Sequence, residues 1–372
     1  MASSDNVYAA FTTLAVKTGA VNLGQGFPDD PAPGALLERA ISAIADGHNQ
    51  YPPTRGVRLL LDAISEHQRR QYGVALDPET EIIVTTGASE AITATLMAVI
   101  GPGDEVLVVE PCYDLYPAAV ELAGGRVVRA ASVDAFTDLV GPRTRAVILN
   151  SPGNPSGQML SREDLREVGE LAERYNLTVI SDEVYEHIVM STTPHISAHQ
   201  EPRLRERCVV VSSAAKTFCV TGWKVGWASG PAHLIDQVHR VKQYLSFASG
   251  TPFQHAVAVE LGEPDAHVRG LCDAYRKRCD LLTSALERSG YTLSRPAGGY
   301  FVMADAAPLG VSDTATLWAH CSRLPNTVGI VGIPGAVFSQ GEVTTIRFCF
   351  AKSQERIEEA CARLDRAGRR TV

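Results

Sequence analysis

Arg145-Ala146-Val147-Ile148-Leu149 runs into Asn150-Ser151-Pro152-Gly153-Asn154-Pro155-Ser156-Gly157. Further on, Thr178-Val179-Ile180-Ser181 runs into Asp182-Glu183-Val184-Tyr185. Between these apolar runs, Arg162–Tyr175 carries a helical pattern. Ser161 stands at its start as an N-cap, with Asp164 three residues on as an acidic capping-box partner. Strand, helix, strand in this order is the unit of a parallel sheet. The rhythm extends both ways. Upstream are Glu81–Thr86 and Glu105–Val109, with a helix over Ser89–Ile100. Downstream are Cys208–Ser212 and Val225–Ala228. None of these runs alternates apolar with polar, which is what strands buried on both faces require. The sequence therefore predicts an α/β fold around a mostly parallel sheet covered by helices.

The pattern changes after about Gly262. A long amphipathic stretch, His267–Ser289, precedes strand-like Tyr291–Asp305 and Thr344–Phe350. Helices are expected near Ala315–Cys321 and Gln354–Ala367. This reads as a smaller α+β domain, joined by the N-terminal segment, which lacks the strand–helix rhythm. The expected division is a large domain over 45–275 and a small one from 1–44 and 276–372. The 372 residues suit two domains at roughly 150 residues each.

Composition narrows the class. Hydrophobic residues at 45% and charged residues at 20% are ordinary for a globular enzyme. A net charge of −8 argues against nucleic acid as a partner. The basic cluster Arg203, Arg205 and Arg207 is interleaved with Glu201 and Glu206 and reads as a solvated face. Eight cysteines without a CxxC pair argue against a zinc site or a disulfide framework, so no metal is expected. No leader-like segment and no long apolar stretch appear, so the expectation is a cytoplasmic protein without a membrane partner.

In open α/β sheets, ligands sit beyond the carboxyl ends of the strands. Here each strand end presents chemistry. Gly87-Ala88-Ser89 opens a helix, whose free amides and dipole make an anion seat. Ser213 and Lys224 can add a hydroxyl and a cation to the same anion. Tyr113 is a flat ring suited to stacking on an aromatic cofactor, with Tyr116 a nearby rival. Asp182 can hold a ring nitrogen protonated. Tyr185 and Asn154 can donate to a ring oxygen. Lys216, in a loop of small residues, is a candidate Schiff-base amine. Singly each has an ordinary explanation, such as a turn carboxylate, a packing tyrosine or a surface lysine. Five strand ends converging on one rim is what sets them apart.

These residues lie in segments that resemble a known family. The segments are Asn22-Leu23-Gly24-Gln25-Gly26-Phe27-Pro28-Asp29, Asn154-Pro155-Ser156-Gly157, Ser181-Asp182-Glu183-Val184-Tyr185, Ser213-Ala214-Ala215-Lys216-Thr217-Phe218, Thr221-Gly222-Trp223-Lys224-Val225-Gly226-Trp227 and Ile346-Arg347-Phe348. Together they resemble class I aminotransferases of pyridoxal 5′-phosphate (PLP) fold type I. The similar branch contains kynurenine, methionine and N-succinyldiaminopimelate aminotransferases. The resemblance implies that Lys216 binds PLP and then moves a proton, and that Asp182 pairs with the pyridine nitrogen. It implies that Asn154 and Tyr185 meet the ring oxygen, and that Tyr113 stacks on the ring. Gly87, Ala88, Ser89, Ser213 and Lys224 would hold the phosphate. Arg347 would clamp the substrate carboxylate in bidentate fashion, with Gly26 and Asn154 beside it. Tyr51 resembles a tyrosine that reaches the phosphate of a neighbouring subunit, which implies a homodimer with shared sites.

The implied reaction is amino transfer between an L-amino acid and a 2-oxo acid. The substrate side departs from the family pattern at Gly298-Gly299-Tyr300-Phe301 and at Ile333-Pro334-Gly335-Ala336, and 130–142 is short. No second arginine for a side-chain carboxylate is evident, and Tyr244–Phe253 is largely apolar. These features predict a roomy site for a large or unusual donor rather than a dicarboxylate. The same departures keep open an alternative on the same fold: β/γ-elimination or replacement, for example on S-adenosylmethionine or a cysteine conjugate. Cys112, His187, His195 and Arg55 are read as packing, structural or surface residues.

Overall fold

Six apolar runs of the sequence become neighbouring strands, and a seventh strand joins them at one edge. The computed structural model describes residues 7–262 and 265–368. The strands are β1 (Val21–Asn22), β2 (Ile82–Thr86), β3 (Glu105–Val109), β4 (Arg126–Ala130), β5 (Thr144–Asn150), β6 (Thr178–Asp182), β7 (Cys208–Ser213), β8 (Val225–Ser229), β9 (Thr292–Leu293), β10 (Phe301–Asp305), β11 (Ile330–Val331), β12 (Ile333–Pro334) and β13 (Thr345–Cys349). The helices are α1 (Val7–Thr18), α2 (Gly34–Ala45), α3 (Arg58–Tyr72), α4 (Ala88–Val99), α5 (Leu115–Leu122), α6 (Phe136–Leu139), α7 (Arg162–Tyr175), α8 (Ala214–Thr217), α9 (Ala232–Leu245), α10 (Thr251–Gly262), α11 (Asp265–Arg288), α12 (Thr314–Thr327) and α13 (Gln354–Gly368).

The seven-stranded sheet has the order β2-β8-β7-β6-β5-β3-β4. Pairs among β7, β6, β5, β3 and β4 are parallel, whereas β8 runs antiparallel to both β2 and β7. Every residue of β7 and β8 is buried, which explains the missing alternation. Strand β4 was not legible in sequence because Arg126 and Arg129 interrupt its apolar residues. As an edge strand it tolerates such charges, which also discourage pairing with another chain.

A second sheet, β12-β13-β10-β9, is antiparallel and carries the small core. The expected single strand Tyr291–Asp305 is two strands, because 294–300 turns back through Gly299, whose φ is +70°. Helix α12 runs past the expected Cys321 to Thr327 with Pro325 inside it, a residue that argues against helix when read locally. Phe11 and Ala15 of α1 and Val21 of β1 pack with Phe301, Phe348 and Leu364 in this core. Leu36 and Ala40 of α2 instead pack with Leu60, Trp227 and Val257 against the large sheet.

Helix α7 begins as its sequence requires. Ser161 Oγ accepts from the Asp164 amide at 3.1 Å, and Asp164 accepts from the Ser161 amide at 2.7 Å. Its apolar face, including Leu165, Val168 and Ala172, packs under β5 and β6. Losing the hydroxyl in Ser161→Ala should cost about 1 kcal/mol of stability. Urea unfolding would read this as a lowered midpoint at unchanged slope. An unchanged midpoint would mean that the cap contributes nothing.

Candidate active site

The carboxyl ends of β5, β6 and β7 open into one cavity of about 310 Å³. That is at the small end of the roughly 300–1,000 Å³ typical of small-molecule sites. Its lining includes Gly26, Gly87, Ala88, Ser89, Tyr113, Asn154, Asp182, Tyr185, Ser213, Lys216, Lys224 and Arg347. The structure thus brings together every site residue expected from the sequence except Tyr51. Tyr51 is 82% exposed and stands edge-on to Phe247 with ring centres 5.3 Å apart.

Asp182 ends β6 and is 4% exposed. Its Oδ2 accepts from the Tyr116 hydroxyl at 2.7 Å, and its Oδ1 accepts from the Val184 amide at 3.3 Å. Burial pushes this carboxyl up to about 6, against the pull of those two hydrogen bonds and of Lys216. Burial pushes the Lys216 amine the other way, down to about 8, opposed chiefly by Asp182. Lys216 Nζ lies 5.8 Å from the ring centres of both Tyr185 and Tyr300. Burial also raises the Tyr185 hydroxyl well above its ordinary value, so it stays a proton donor.

Asn150, at the end of β5, stitches two of these loops together. Its Nδ2 donates to the Asp182 carbonyl at 2.9 Å, and its Oδ1 accepts from the Asn154 amide at 2.7 Å. Asn154 Oδ1 in turn accepts from Arg347 Nη1 at 2.9 Å. Arg347 is 2% exposed; its Nη2 donates to the Gly24 carbonyl at 3.1 Å. The guanidinium carbon lies 4.1 Å from the Phe301 ring centre and 4.5 Å from that of Phe338. Held between rings, the guanidinium is fixed in orientation while its remaining N–H groups can meet a carboxylate.

At the other end of the cavity, α4 starts at Ala88 after Gly87, whose φ of +78° turns the chain into the helix. A Cβ on Gly87 would stand 3.1 Å from Lys224 Nζ, so the lysine lies directly against the helix start. A Cβ on Gly226 would fall 2.5 Å from the Gly87 carbonyl carbon and 2.6 Å from the Ala88 nitrogen. Helix amides, the Lys224 cation and Ser213 therefore surround one small space that suits a phosphate dianion. A buried amine, a buried carboxylate, the Tyr113 ring and this seat fit PLP as a group.

Several lining residues escaped the sequence reading. Tyr8 comes from α1, where no local signal pointed to it, and Phe27 stands beside the expected Gly26 without having been singled out. Asn150 and Asp114 sit beside expected residues, and Tyr116 figured only as a rival to Tyr113. Two expected contributors lie elsewhere. Gly299 and Gly335 do not appear among the lining residues. A Cβ on Gly335 would meet Thr345 Oγ1 at 2.3 Å, so that glycine serves packing rather than room for substrate. The apolar stretch Tyr244–Phe253 forms no wall of the cavity. Its Tyr244 is 86% exposed. Cys112 is buried with its thiol pushed up to about 11, so it is no nucleophile at neutral pH. His195 is buried against Glu183, and Arg55 is half-buried in a 3.3 Å pair with Asp236 rather than a surface residue.

Known proteins resemble this chain along nearly its whole length. A family model described as aminotransferase class I and II matches residues 18–364. A probable N-succinyldiaminopimelate aminotransferase of Mycobacterium tuberculosis (strain H37Rv) is 44% identical over 96% of this chain and 95% of its own. The methionine aminotransferase of Escherichia coli K12 is 39% identical, covering 96% of this chain and 95% of its own. A solved N-succinyldiaminopimelate aminotransferase structure from M. tuberculosis superimposes with a TM-score of 0.93, covering 97% of each chain.

The close approach at Gly226 generates a prediction. Gly226→Ala pushes Gly87 and Ala88 out of register with Lys224, so cofactor affinity should fall by about tenfold or more. Absorbance-monitored titration of the cofactor-free protein measures it. Unchanged affinity would show that the Gly87–Ser89 segment does not bear the phosphate.

Proposed function

The chain belongs to the class I and II aminotransferases, and from that premise we propose that it moves an amino group between an L-amino acid and a 2-oxo acid using PLP held on Lys216. The observation that carries this is a desolvated amine on half-buried Lys216 and the buried Asp182 carboxylate in one cavity, with an arginine at one end and an anion seat at the other. When bound, PLP supplies a ring that can accept the electron pair left at a substrate carbon. Asp182 keeps the ring nitrogen protonated by remaining anionic beside it. Asn154 and Tyr185 would meet the ring oxygen, Tyr113 would cover the ring, and Gly87, Ala88, Ser89, Ser213 and Lys224 would take the phosphate. Arg347, beside Gly26 and Asn154, clamps the substrate carboxylate. Lys216 would hold the cofactor and would be the base that moves the proton at the substrate Cα.

The donor is an L-amino acid other than a short dicarboxylate; the room that the sequence suggested for a large donor at Gly299, Gly335 and Tyr244–Phe253 does not line the cavity. Arg347 is the single arginine among the described residues lining the cavity, and Asp114 adds a negative charge there. Elimination or replacement is the less favoured reading, because the relatives carry aminotransferase names. Tyr51 completes the phosphate seat of a second copy in a homodimer. Its exposure, with the exposed Phe247 edge-on beside it, supports this reading. The working division is a large domain over 45–275 and a small one from the rest, with the face of α2 carried on the large sheet. A cytoplasmic setting fits eight free thiols and the lack, among the described residues, of any helix long and apolar enough to cross a membrane.

A single-turnover experiment tests the reaction type. PLP-loaded protein is mixed with a panel of amino acids that includes S-adenosylmethionine, and products are identified by mass spectrometry. Pyridoxamine phosphate with the matching 2-oxo acid is expected. Regenerated PLP with an expelled leaving group would overturn the reading. Arg347→Lys loses the planar fork and should lower kcat/KM by about 100-fold, through both KM and kcat. An effect confined to KM and below about threefold would remove Arg347 from the carboxylate clamp. Lys216 gives a pH prediction. Its folded value lies below the unfolded one, so neutral amine gains as pH rises through about 8. PLP capture by the cofactor-free protein should therefore accelerate through about 8, not only near the ordinary lysine value. Stopped-flow absorbance reads this rate.

A further inference from the structure

Tyr116 is buried, 1% exposed, on the first turn of α5. Its hydroxyl donates to Asp182 Oδ2 at 2.7 Å. No other side chain among the described residues donates a hydrogen bond of good geometry to that carboxylate. The second contact is the longer 3.3 Å bond from the Val184 amide to Oδ1. The Tyr116 ring is also fixed from outside, at 89° to Tyr113 with centres 5.7 Å apart. One side chain therefore braces both the carboxylate and the ring expected to cover the cofactor.

From this geometry we propose that Tyr116 is a positioning residue for Asp182: by holding Oδ2 it orients the carboxylate and keeps it ionised for the cofactor's ring nitrogen. The inference rests on the PLP reading of the cavity. Its physical content concerns the chain's own atoms. A carboxylate has about four acceptor positions. Tyr116 takes one on Oδ2 and Val184 one on Oδ1, which leaves acceptor capacity on the cavity side, where Asp182 is part of the lining. A phenol that donates to the anion stabilises it relative to the acid. The donor state is secure, because burial and Asp182 itself hold the Tyr116 hydroxyl well above its ordinary value.

The other groups that bear on Asp182 come from three places. Lys216 on α8 favours the anion. Glu183, next in the chain, disfavours it. The hydroxyls of Tyr113 and Tyr185 remain protonated: burial pushes Tyr113 up to about 12 and Tyr185 higher still. Desolvation alone would carry Asp182 toward the neutral acid, and the Tyr116 hydrogen bond is the strongest influence opposing it. Without that bond, the proton shared between Asp182 and a ring nitrogen would stay on Asp182 to higher pH.

The test is Tyr116→Phe, which keeps the ring and removes the donor. In PLP-loaded protein the acid limb of the kcat profile should move upward by about one pH unit, with kcat on that limb about tenfold lower. KM should change far less than kcat. Incorporating 3-fluorotyrosine at position 116 makes a stronger donor, so the limb should move the other way. In cofactor-free protein, isotope-edited difference infrared, assigned by subtracting Asp182→Asn, follows the Asp182 carboxyl directly and should shift in the same sense as the profile. An unchanged Asp182 titration in a folded Tyr116→Phe protein would overturn the proposal and reduce Tyr116 to a packing residue. A shifted Asp182 titration in a protein that forms no pyridoxamine phosphate would uphold the hydrogen bond's role while sinking the aminotransferase reading, so the two failures are distinct.

Discussion

Two opposite charges that water would ordinarily keep apart are buried in one cavity. Asp182 and Lys216 both lose solvation there, and in each case burial is the largest influence on ionisation. The carboxyl is driven up and the amine down, toward the range in which both can exchange protons near neutrality. Such a pair is costly unless its remaining hydrogen-bonding capacity is met. Much of the surrounding architecture can be understood as meeting it: Tyr116 and the Val184 amide on the carboxylate, Asn150 on the Asp182 carbonyl, and the short helix α8 presenting the amine.

The turn that carries Asp182 and Tyr185 is anchored from behind by the residues between and after them. Glu183 accepts from Ser181 at 2.8 Å and from the Ala198 amide at 2.8 Å, and it pairs with His195 at 3.0 Å. Burial would lower His195, but Glu183 outweighs it and raises the imidazole overall. Glu186 accepts from Tyr72 at 2.6 Å and from Ser212 at 2.5 Å. Burial pushes its carboxyl up, yet His187, His67 and these donors hold it at about 2. His67, Glu186 and His187 bring ligand atoms within 4.8 Å of one another, the spacing of a metal cluster. The two Nε2 atoms already meet at 2.9 Å and both carboxylate oxygens already accept, so hydrogen bonding accounts for the arrangement. Chain direction thus sorts the residues: Asp182 and Tyr185 face the cavity, and Glu183 and Glu186 lock the turn to the strand and helix behind it.

What the sequence disclosed follows from where the physical signal is local. Strands buried on both faces announce themselves as apolar runs, so β3 and α7 were legible to the residue and their neighbours within one or two. Strand β4 was hidden because an edge position tolerates Arg126 and Arg129, and α12 was shortened by a proline that tertiary packing overrides. The end of the cavity that carries Asp182 and Lys216 was legible because most of its groups stand at or just after the carboxyl ends of strands, Lys224 before β8 excepted. The substrate end was legible only in part. Arg347, Gly26 and Asn154 stand in the segments that carry the resemblance, and Phe27 and Phe301 lie in segments already singled out, whereas Tyr8 reaches the cavity from α1, where nothing in its neighbours marks it. Glycines misled for a related reason. Gly335 has space denied to it by Thr345, which only the pairing of β12 with β13 reveals.

This asymmetry bears on how such a site can vary. The cofactor end is built from backbone at contact distance: Gly226 cannot accept even one carbon without moving Gly87 and Ala88. Side-chain replacement there disturbs the sheet as well as the seat, so fold and chemistry are constrained together. The substrate end is built from side chains on α1, the 24–27 loop and the small sheet, around an arginine clamped between Phe301 and Phe338. Those elements belong to the small core, apart from the sheet that carries Asp182 and Lys216. Substitutions among them can reshape what enters the cavity without altering the Asp182–Lys216 pair. Specificity in this chain is therefore to be sought around Tyr8, Phe27 and Phe301 rather than at the strand ends.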